Sequence, residues 1–459
     1  MRILQDLGRF LMEGAKAQAS WEMEMSNNIL RSRSRRLILC LLLIPILFGG
    51  IALAAGGGEL PNVLGGKSAY MPSYYTSTIF LASIFVGLCA GLITGCIGAG
   101  GGFIIAPALM SAGVKGILAV GTDLFHIFAK AIMGSVLHKK LGNISISLAV
   151  TFLVGSIAGA TLGGMLNRFL YDLNPVLSDL FITIVYVIIL GFLSFYALID
   201  YFKARKGDLA SSAPGAGAAE AIPPMGKRLQ SVHIPPMLTF DEGITPGGRK
   251  ISAVFLVVSG FIVGLAAAIM GVGGGFLTFP IFVYGLGVSS MTTVGTDIFQ
   301  IVFTAGYGSI SQYAIFGFVF YTLAMGMLLG SLVGVQIGSL VTRVVPGIMI
   351  RGFFALAVTA GFINRFFAMP GKLQSLKMLS ITKEAGAVLD TVGNILFFVT
   401  IGAFMVWVFY AFFKNISLLK TEEIRYEHAE KIKDQRNSDG SSLLRPSGSD
   451  LQPSLPGEE

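Results

Sequence analysis

Long apolar runs follow one another along this chain, separated by short polar breaks. A bilayer crossing needs about 20 predominantly apolar residues. Runs of that order lie near 37–55, 78–97, 118–138, 144–166, 177–202, 251–270, 291–313, 318–341, 346–369 and 393–413, and each predicts a membrane-spanning helix. Two shorter apolar pieces, 103–113 and 276–287, follow clusters of glycine. They are too short to span and predict half-helices or re-entrant segments, which a membrane tolerates where protein buries the broken backbone.

The polar stretches divide the chain. A basic arm, 1–36, ends in Arg31, Arg33, Arg35 and Arg36 and leads into 37–55, which closes on Ala52-Leu53-Ala54. That pattern fits a cleaved signal peptide or a retained signal-anchor helix, and either leaves 56–77 outside. A first membrane repeat over 78–202 is followed by a linker, 203–250, holding six prolines and expected to be flexible. A second membrane repeat covers 251–369. Beyond it come an interfacial segment and extra transmembrane helix over 370–413, then a charged cytoplasmic tail, 414–459, expected as a short helix and disorder.

Composition agrees with a membrane protein. Only 13% of residues are charged and 54% are hydrophobic, whereas a soluble domain carries about a quarter charged residues. The net charge of +8 does not imply nucleic-acid binding, because the basic residues lie mostly in arms and connectors, as the positive-inside bias requires. Cys40, Cys89 and Cys96 all sit within apolar runs, which is neither a disulfide framework nor a metal-binding CxxC pair. The four histidines form no zinc motif. No metal, no cofactor and no catalytic cluster is therefore expected.

The chain repeats itself. Gly98-Ala99-Gly100-Gly101-Gly102-Phe103 recurs as Gly271-Val272-Gly273-Gly274-Gly275-Phe276, and Pro107 matches Pro280 at the same offset of 173. Gly121-Thr122-Asp123 recurs as Gly295-Thr296-Asp297. Gly155, Ser156, Gly159, Gly163 and Arg168 match Gly330, Ser331, Gly334, Gly338 and Arg343 at an offset of 175. Charge then orients the repeats. Lys203, Arg205, Lys206, Arg249 and Lys250 place the linker inside. Counting outward gives each half a Gly-broken hairpin plus three full spans. The odd number of crossings inverts one half relative to the other, the plan of many secondary transporters. Lys115 and Arg168 fall on the less favoured side.

The polar residues inside these spans are the candidate chemistry. Runs of glycine free the backbone for close approach to a ligand, and N–H groups opening the following half-helix favour an anion. On that reading Gly98, Gly100, Gly101 and Gly102, with Gly271, Gly273, Gly274 and Gly275, line a substrate site; the alternative is tight helix packing. Asp123 and Asp297 either cap their helices with help from Thr122 and Thr296, or mark an ion or proton path, because an acid within a span is costly. His126 and Lys130 follow Asp123 on one helical face, where the second half carries Gln300 and Thr304. Lys130, Thr122 and Thr296 are thus candidate substrate ligands, and Asp123, His126 and Asp297 candidate coupling groups. Cys96 reads as a buried, space-filling thiol.

The paired Gly-x-Gly-Gly-Gly-Phe motifs, each followed by proline and then a Gly-Thr helix start, resemble the TauE/SafE sulfite exporter family, also called the toluene-sulfonate uptake permease family. The resemblance covers about 78–202 and 251–369. It implies an all-α integral membrane protein of the inner membrane that moves sulfite, a sulfonate or a related sulfur-containing anion, coupled to an ion gradient. A channel or a membrane-embedded enzyme are the alternatives. Expected partners are a small anion, the lipid bilayer and, left open, a second copy of the chain.

Overall fold

The structure is a computed structural model that describes residues 62–68, 70, 77–97, 102–140, 144–205, 224–241, 248–344, 347–410 and 414. The run 37–55, the glycines Gly98, Gly100 and Gly101, and the tail past 414 lie outside the described residues. The first half comprises α1 (Ser77–Ile97), α2 (Gly102–Ser111), α3 (Gly116–Lys140), α4 (Ile146–Leu173) and α5 (Pro175–Arg205). A short helix α6 (Pro224–Ser231) and an antiparallel hairpin, β1 (Met237–Phe240) with β2 (Arg249–Ser252), precede the second half. That half comprises α7 (Ala253–Met270), α8 (Gly275–Pro280), α9 (Ser290–Tyr307), α10 (Tyr321–Val344) and α11 (Gly347–Ser375). A further helix, α12 (Lys383–Tyr410), closes the described chain. Five helices among the described residues (α4, α5, α7, α11 and α12) are long and apolar enough to cross a membrane.

Glycine determines which helices touch. α1 runs parallel to α10, with Gly87 against Met327, Gly91 against Ser331 and Gly330 against Ile84 and Leu88. α4 runs parallel to α7 in the same way, with Gly155 against Val257, Gly159 against Phe261 and Gly264 against Ser156. In each case a Cβ would strike the neighbour's backbone, so only glycine permits this approach. The same packing motif is therefore built twice, each time between one helix from each half. The remaining large contacts pair repeat-mates in antiparallel fashion. Gly121 of α3 meets Tyr313 beyond α9 while Phe128 meets Gly306, and Tyr201 of α5 meets Gly352 of α11 while Gly191 meets Phe362.

Both short apolar pieces form half-helices, α2 and α8, each following a glycine cluster. The second break is described in full. α7 ends at Gly271 in left-handed backbone (φ 83°), and Gly274, with φ 90°, precedes α8. The carbonyls freed at the end of α7 find side chains. Asn167 donates to Ala268 and Ile269, Tyr313 donates to Ala268, and Tyr186 donates to Met270. These bonds make a broken helix tolerable in a region without water. α8 continues through a π-helical turn, Ile281–Leu286, and α9 likewise through Gly308–Tyr313. The run 291–313, expected as one regular span, thus ends in wider turns that carry Tyr313 to the α7 break.

Part of the stretch expected to be flexible is folded. Phe240 of that stretch and Ile251 just after it are buried in one cluster with Phe282 and Leu286 and give the hairpin a small core. Asp241 accepts hydrogen bonds from the Ser289 amide (2.9 Å), the Ser289 hydroxyl (2.9 Å) and the Thr292 hydroxyl (2.5 Å). Arg249 donates to the Gly287 carbonyl, and Gln230 to that of Leu286. The segment therefore grips the turn between α8 and α9. Residues 206–223 of the linker lie outside the described residues.

Contacts sort the chain into two ends. At one, Tyr321 donates to the Leu64 carbonyl, Tyr70 packs on Phe320, Arg168 donates to Gln312 and lies 4.1 Å over the Phe316 ring, and Lys372 pairs with Asp179. At the other, the linker hairpin meets residues 286–292, and the last turns of α5 and α12 meet the start of α11. Lys115 and Arg168, on the less favoured side by charge alone, are held there by Tyr171 and by Gln312 with Phe316.

Candidate functional site

Asp123 and Asp297 are each the eighth residue of their helix, so neither caps it. The cap of α9 is Ser289, whose hydroxyl accepts from the Thr292 amide. Thr122 and Thr296 are engaged elsewhere. The Thr122 hydroxyl accepts from the Phe320 amide just before α10 (2.9 Å), and the Thr296 hydroxyl accepts from the Ser145 amide just before α4 (3.1 Å). These two bonds are repeat-mates, and each pins the start of a helix in the opposite half.

The two acids differ in their surroundings. In the second half, Gln300 donates to Asp297 Oδ1 (2.9 Å), Thr304 donates to Gln300 Oε1 (2.8 Å), and Thr304 shares a 2.7 Å bond with Ser156 of α4. The Thr278 hydroxyl of α8 donates instead to the Gly274 carbonyl (3.2 Å). A Cβ at Gly275 would lie 2.9 Å from Asp297 Oδ2, so the glycine that opens α8 lets the half-helix start against this carboxylate. Asp297 thus has a side-chain partner on its own helix.

In the first half, Asp123 is completely buried and neither oxygen has a hydrogen-bond partner among the described residues. His126 Nδ1, also without a partner, lies 3.6 Å from Asp123 Oδ1, while His126 Nε2 bonds Ser331 of α10 at 2.9 Å. Lys130 donates to Thr94 of α1 at 3.1 Å. The residue types explain the contrast. His126 and Lys130 replace Gln300 and Thr304. Leaving a buried acceptor unsatisfied costs about 1–3 kcal/mol, more when it is charged, so this asymmetry opposes folding and calls for another reason.

Of the predicted site residues, α3 brings Asp123, His126 and Lys130 onto one face. Gly271, Gly273, Gly274 and Gly275 form the second break, and Gly102 opens α2. A Cβ at Gly273 would lie 2.8 Å from Ile127, beside His126, so the second break touches the helix that carries the first acid. Sequence reasoning missed Arg365. It is 2% exposed within α11 and donates to Asn364 (2.7 Å), to Ser111 (2.7 Å) and to the Pro107 carbonyl (3.3 Å), binding the C-terminal end of α2. No carboxylate lies within 4.0 Å of it among the described residues. A cation at the end of a half-helix satisfies its freed carbonyls and opposes its dipole. The usable signal was an arginine inside an apolar run. Among the described residues no group of three or more His, Cys, Asp or Glu could hold a metal ion.

A helical protein with spans of membrane length, two half-helices at glycine breaks and buried polar residues beside them is a polytopic membrane protein built as transporters are. Comparison with known proteins makes this specific: residues 83–365 match the sulfite exporter TauE/SafE family, and the chain belongs to it. It is 30% identical over 269 residues to the probable membrane transporter protein YjnA of Bacillus subtilis, an alignment covering 56% of this chain and 87% of that one. It is 24% identical to the probable membrane transporter protein YunE of the same organism, covering 58% and 89%. A shorter match, 33% over 106 residues, is to the probable membrane transporter protein MJ0441 of Methanocaldococcus jannaschii, covering 21% and 39%. No solved structure matches the chain.

Proposed function

We propose that the protein is a secondary transporter that moves a small anion across the inner membrane by alternating access, and that it is not an enzyme. Sulfite, a sulfonate or a related sulfur-containing anion is the expected cargo, on the strength of the family. The observation that carries the reading is the buried Asp123 carboxyl and His126 Nδ1, which have no hydrogen-bond partner among the described residues and stand on the helix face that carries Lys130, whereas Gln300 and Thr304 engage Asp297 in the other half. Lys130 supplies a point cation for the anion. Asp123 and His126 exchange the coupling proton, as intramembrane acid–histidine chains do. The second glycine break brings backbone against Ile127, next to His126.

Inversion of the two halves is supported by the antiparallel packing of repeat-mates, α3 on α9 and α5 on α11. With that arrangement, rocking one set of helices against the other would expose the centre alternately to each side. A second reading, an anion channel, is separated by flux. In proteoliposomes, saturable and gradient-driven uptake of radiolabelled sulfite, or of a member of a sulfonate panel, supports a carrier. A current linear in voltage, with no saturation by any of these anions, rejects it.

A further inference from the structure

A groove of ≈ 390 Å³ lies between α5, α11 and α12, at the end of the molecule where the linker hairpin sits. Its walls are Tyr201, Phe202, Phe353, Leu356 and Trp407, and the Trp407 and Phe353 rings stack 4.1 Å apart. Phe202 is 53% exposed and Leu356 46%, so the groove opens away from the protein on helices of membrane length. α12 lies beyond the matched family region, so this wall is an addition to the shared core.

Charge stands at one mouth of the groove. Arg205 follows Tyr201 by one helical turn on the same face and is exposed. Lys414 lies 5.7 Å over the ring of Tyr410, the last residue of α12, which itself stands three residues after Trp407. At about 1.5 Å per residue, Arg205 stands roughly 6 Å beyond Tyr201 along α5, and Lys414 lies beside Tyr410 at the end of α12, so charge stands beyond the aromatic walls as headgroups stand beyond acyl chains. Tyr and Trp favour that interfacial level.

We propose that this groove binds an anionic phospholipid, with one acyl chain along Tyr201, Phe353 and Trp407 and the headgroup phosphate on Arg205 and Lys414. An apolar slot alone would take any lipid chain. The two cations make the site selective for negative headgroups, each being worth about a fivefold preference near a membrane surface.

Trp407 is one of two tryptophans, so Trp21→Phe in the full chain leaves it as the sole tryptophan emitter. The protein is reconstituted in vesicles of phosphatidylcholine and phosphatidylglycerol, with bromine on the acyl chains of one lipid at a time. Brominated phosphatidylglycerol should quench Trp407 at several-fold lower mole fraction than brominated phosphatidylcholine. Arg205→Gln with Lys414→Gln should abolish that preference and leave quenching by phosphatidylcholine in place. Both side chains are exposed at helix ends, so this double variant keeps its packing. As a second measurement, phosphatidylglycerol retained through purification should exceed its bulk share and fall in the double variant. Equal quenching by both lipids in the unsubstituted groove overturns the proposal. So does no quenching by either, the result expected if a second copy of the chain covers the groove.

Discussion

His126 of the first half hydrogen-bonds Ser331 of the second at 2.9 Å, and Ser156, the repeat-mate of Ser331, bonds Thr304 of the second half in turn. Each polar centre thus borrows one serine from the opposite half. The serines reach their partners because Gly91 and Gly264 lie against the backbone of Ser331 and Ser156. Packing and chemistry therefore share the same turns of helix.

The packing glycines should be the most sensitive positions for stability. Gly159→Val and Gly334→Val each force side-chain atoms into the backbone of Phe261 or Leu88. Overpacking of this kind costs about 1–3 kcal/mol, and more where backbone must move. The expected result is a lower unfolding temperature and less monodisperse protein, measured by thermal unfolding in detergent. Gly402→Val is the control, because nothing lies within 4 Å of its Cβ position.

The linker hairpin should loosen when its anchor is removed. Asp241→Ala leaves the Ser289 amide and the hydroxyls of Ser289 and Thr292 without their shared acceptor. Hydrogen bonds to a charged group are worth about 1.5–3 kcal/mol each. Amide hydrogen exchange across 237–252 and the first turn of α9 should accelerate about tenfold or more, with exchange in α4 unchanged.

Topology is testable by labelling. In a background without native cysteines, Ser68→Cys should react with an impermeant maleimide in intact cells and Ser212→Cys only after lysis. Ready labelling at 212 from outside would reverse the orientation of every helix as assigned.

The fold was legible to the extent that its signals are local. The apolar runs gave the helices, and the glycine clusters gave the half-helices because a broken, buried backbone needs glycine at positive φ, as at Gly271 and Gly274. The folded linker was hidden because Phe240 and Ile251 pack on side chains distant in sequence, among them Phe152, Phe282 and Leu286. Arg365 was hidden because its partners Ser111 and Pro107 come from the other half. The face shared by Asp123, His126 and Lys130 was readable from spacing, whereas the lack of a partner on Asp123 among the described residues was not, because it depends on what neighbouring helices bring to that face. Thr122 and Thr296 looked like ligands by position, yet their hydroxyls hold the Phe320 and Ser145 amides.

Lys130 should govern affinity. Lys130→Gln keeps much of the shape and a donor for Thr94 while removing the charge. Half-saturating sulfite in proteoliposome exchange should rise about tenfold or more, the value of one charge-assisted hydrogen bond, with maximal exchange rate less affected. Unchanged half-saturation would remove Lys130 from the substrate site.

The central claim is that Asp123 carries the coupling proton while Asp297 is engaged by Gln300, itself held by Thr304. It is tested most directly by comparing two fluxes in the same proteoliposomes, sulfite exchange without a pH gradient and sulfite uptake driven by one. For Asp123→Asn, exchange should persist and the response to the gradient should disappear, with the unfolding temperature nearly unchanged because the amide keeps the size of the carboxyl at a buried position. Gradient-driven accumulation by Asp123→Asn equal to that of the unsubstituted protein would contradict the account.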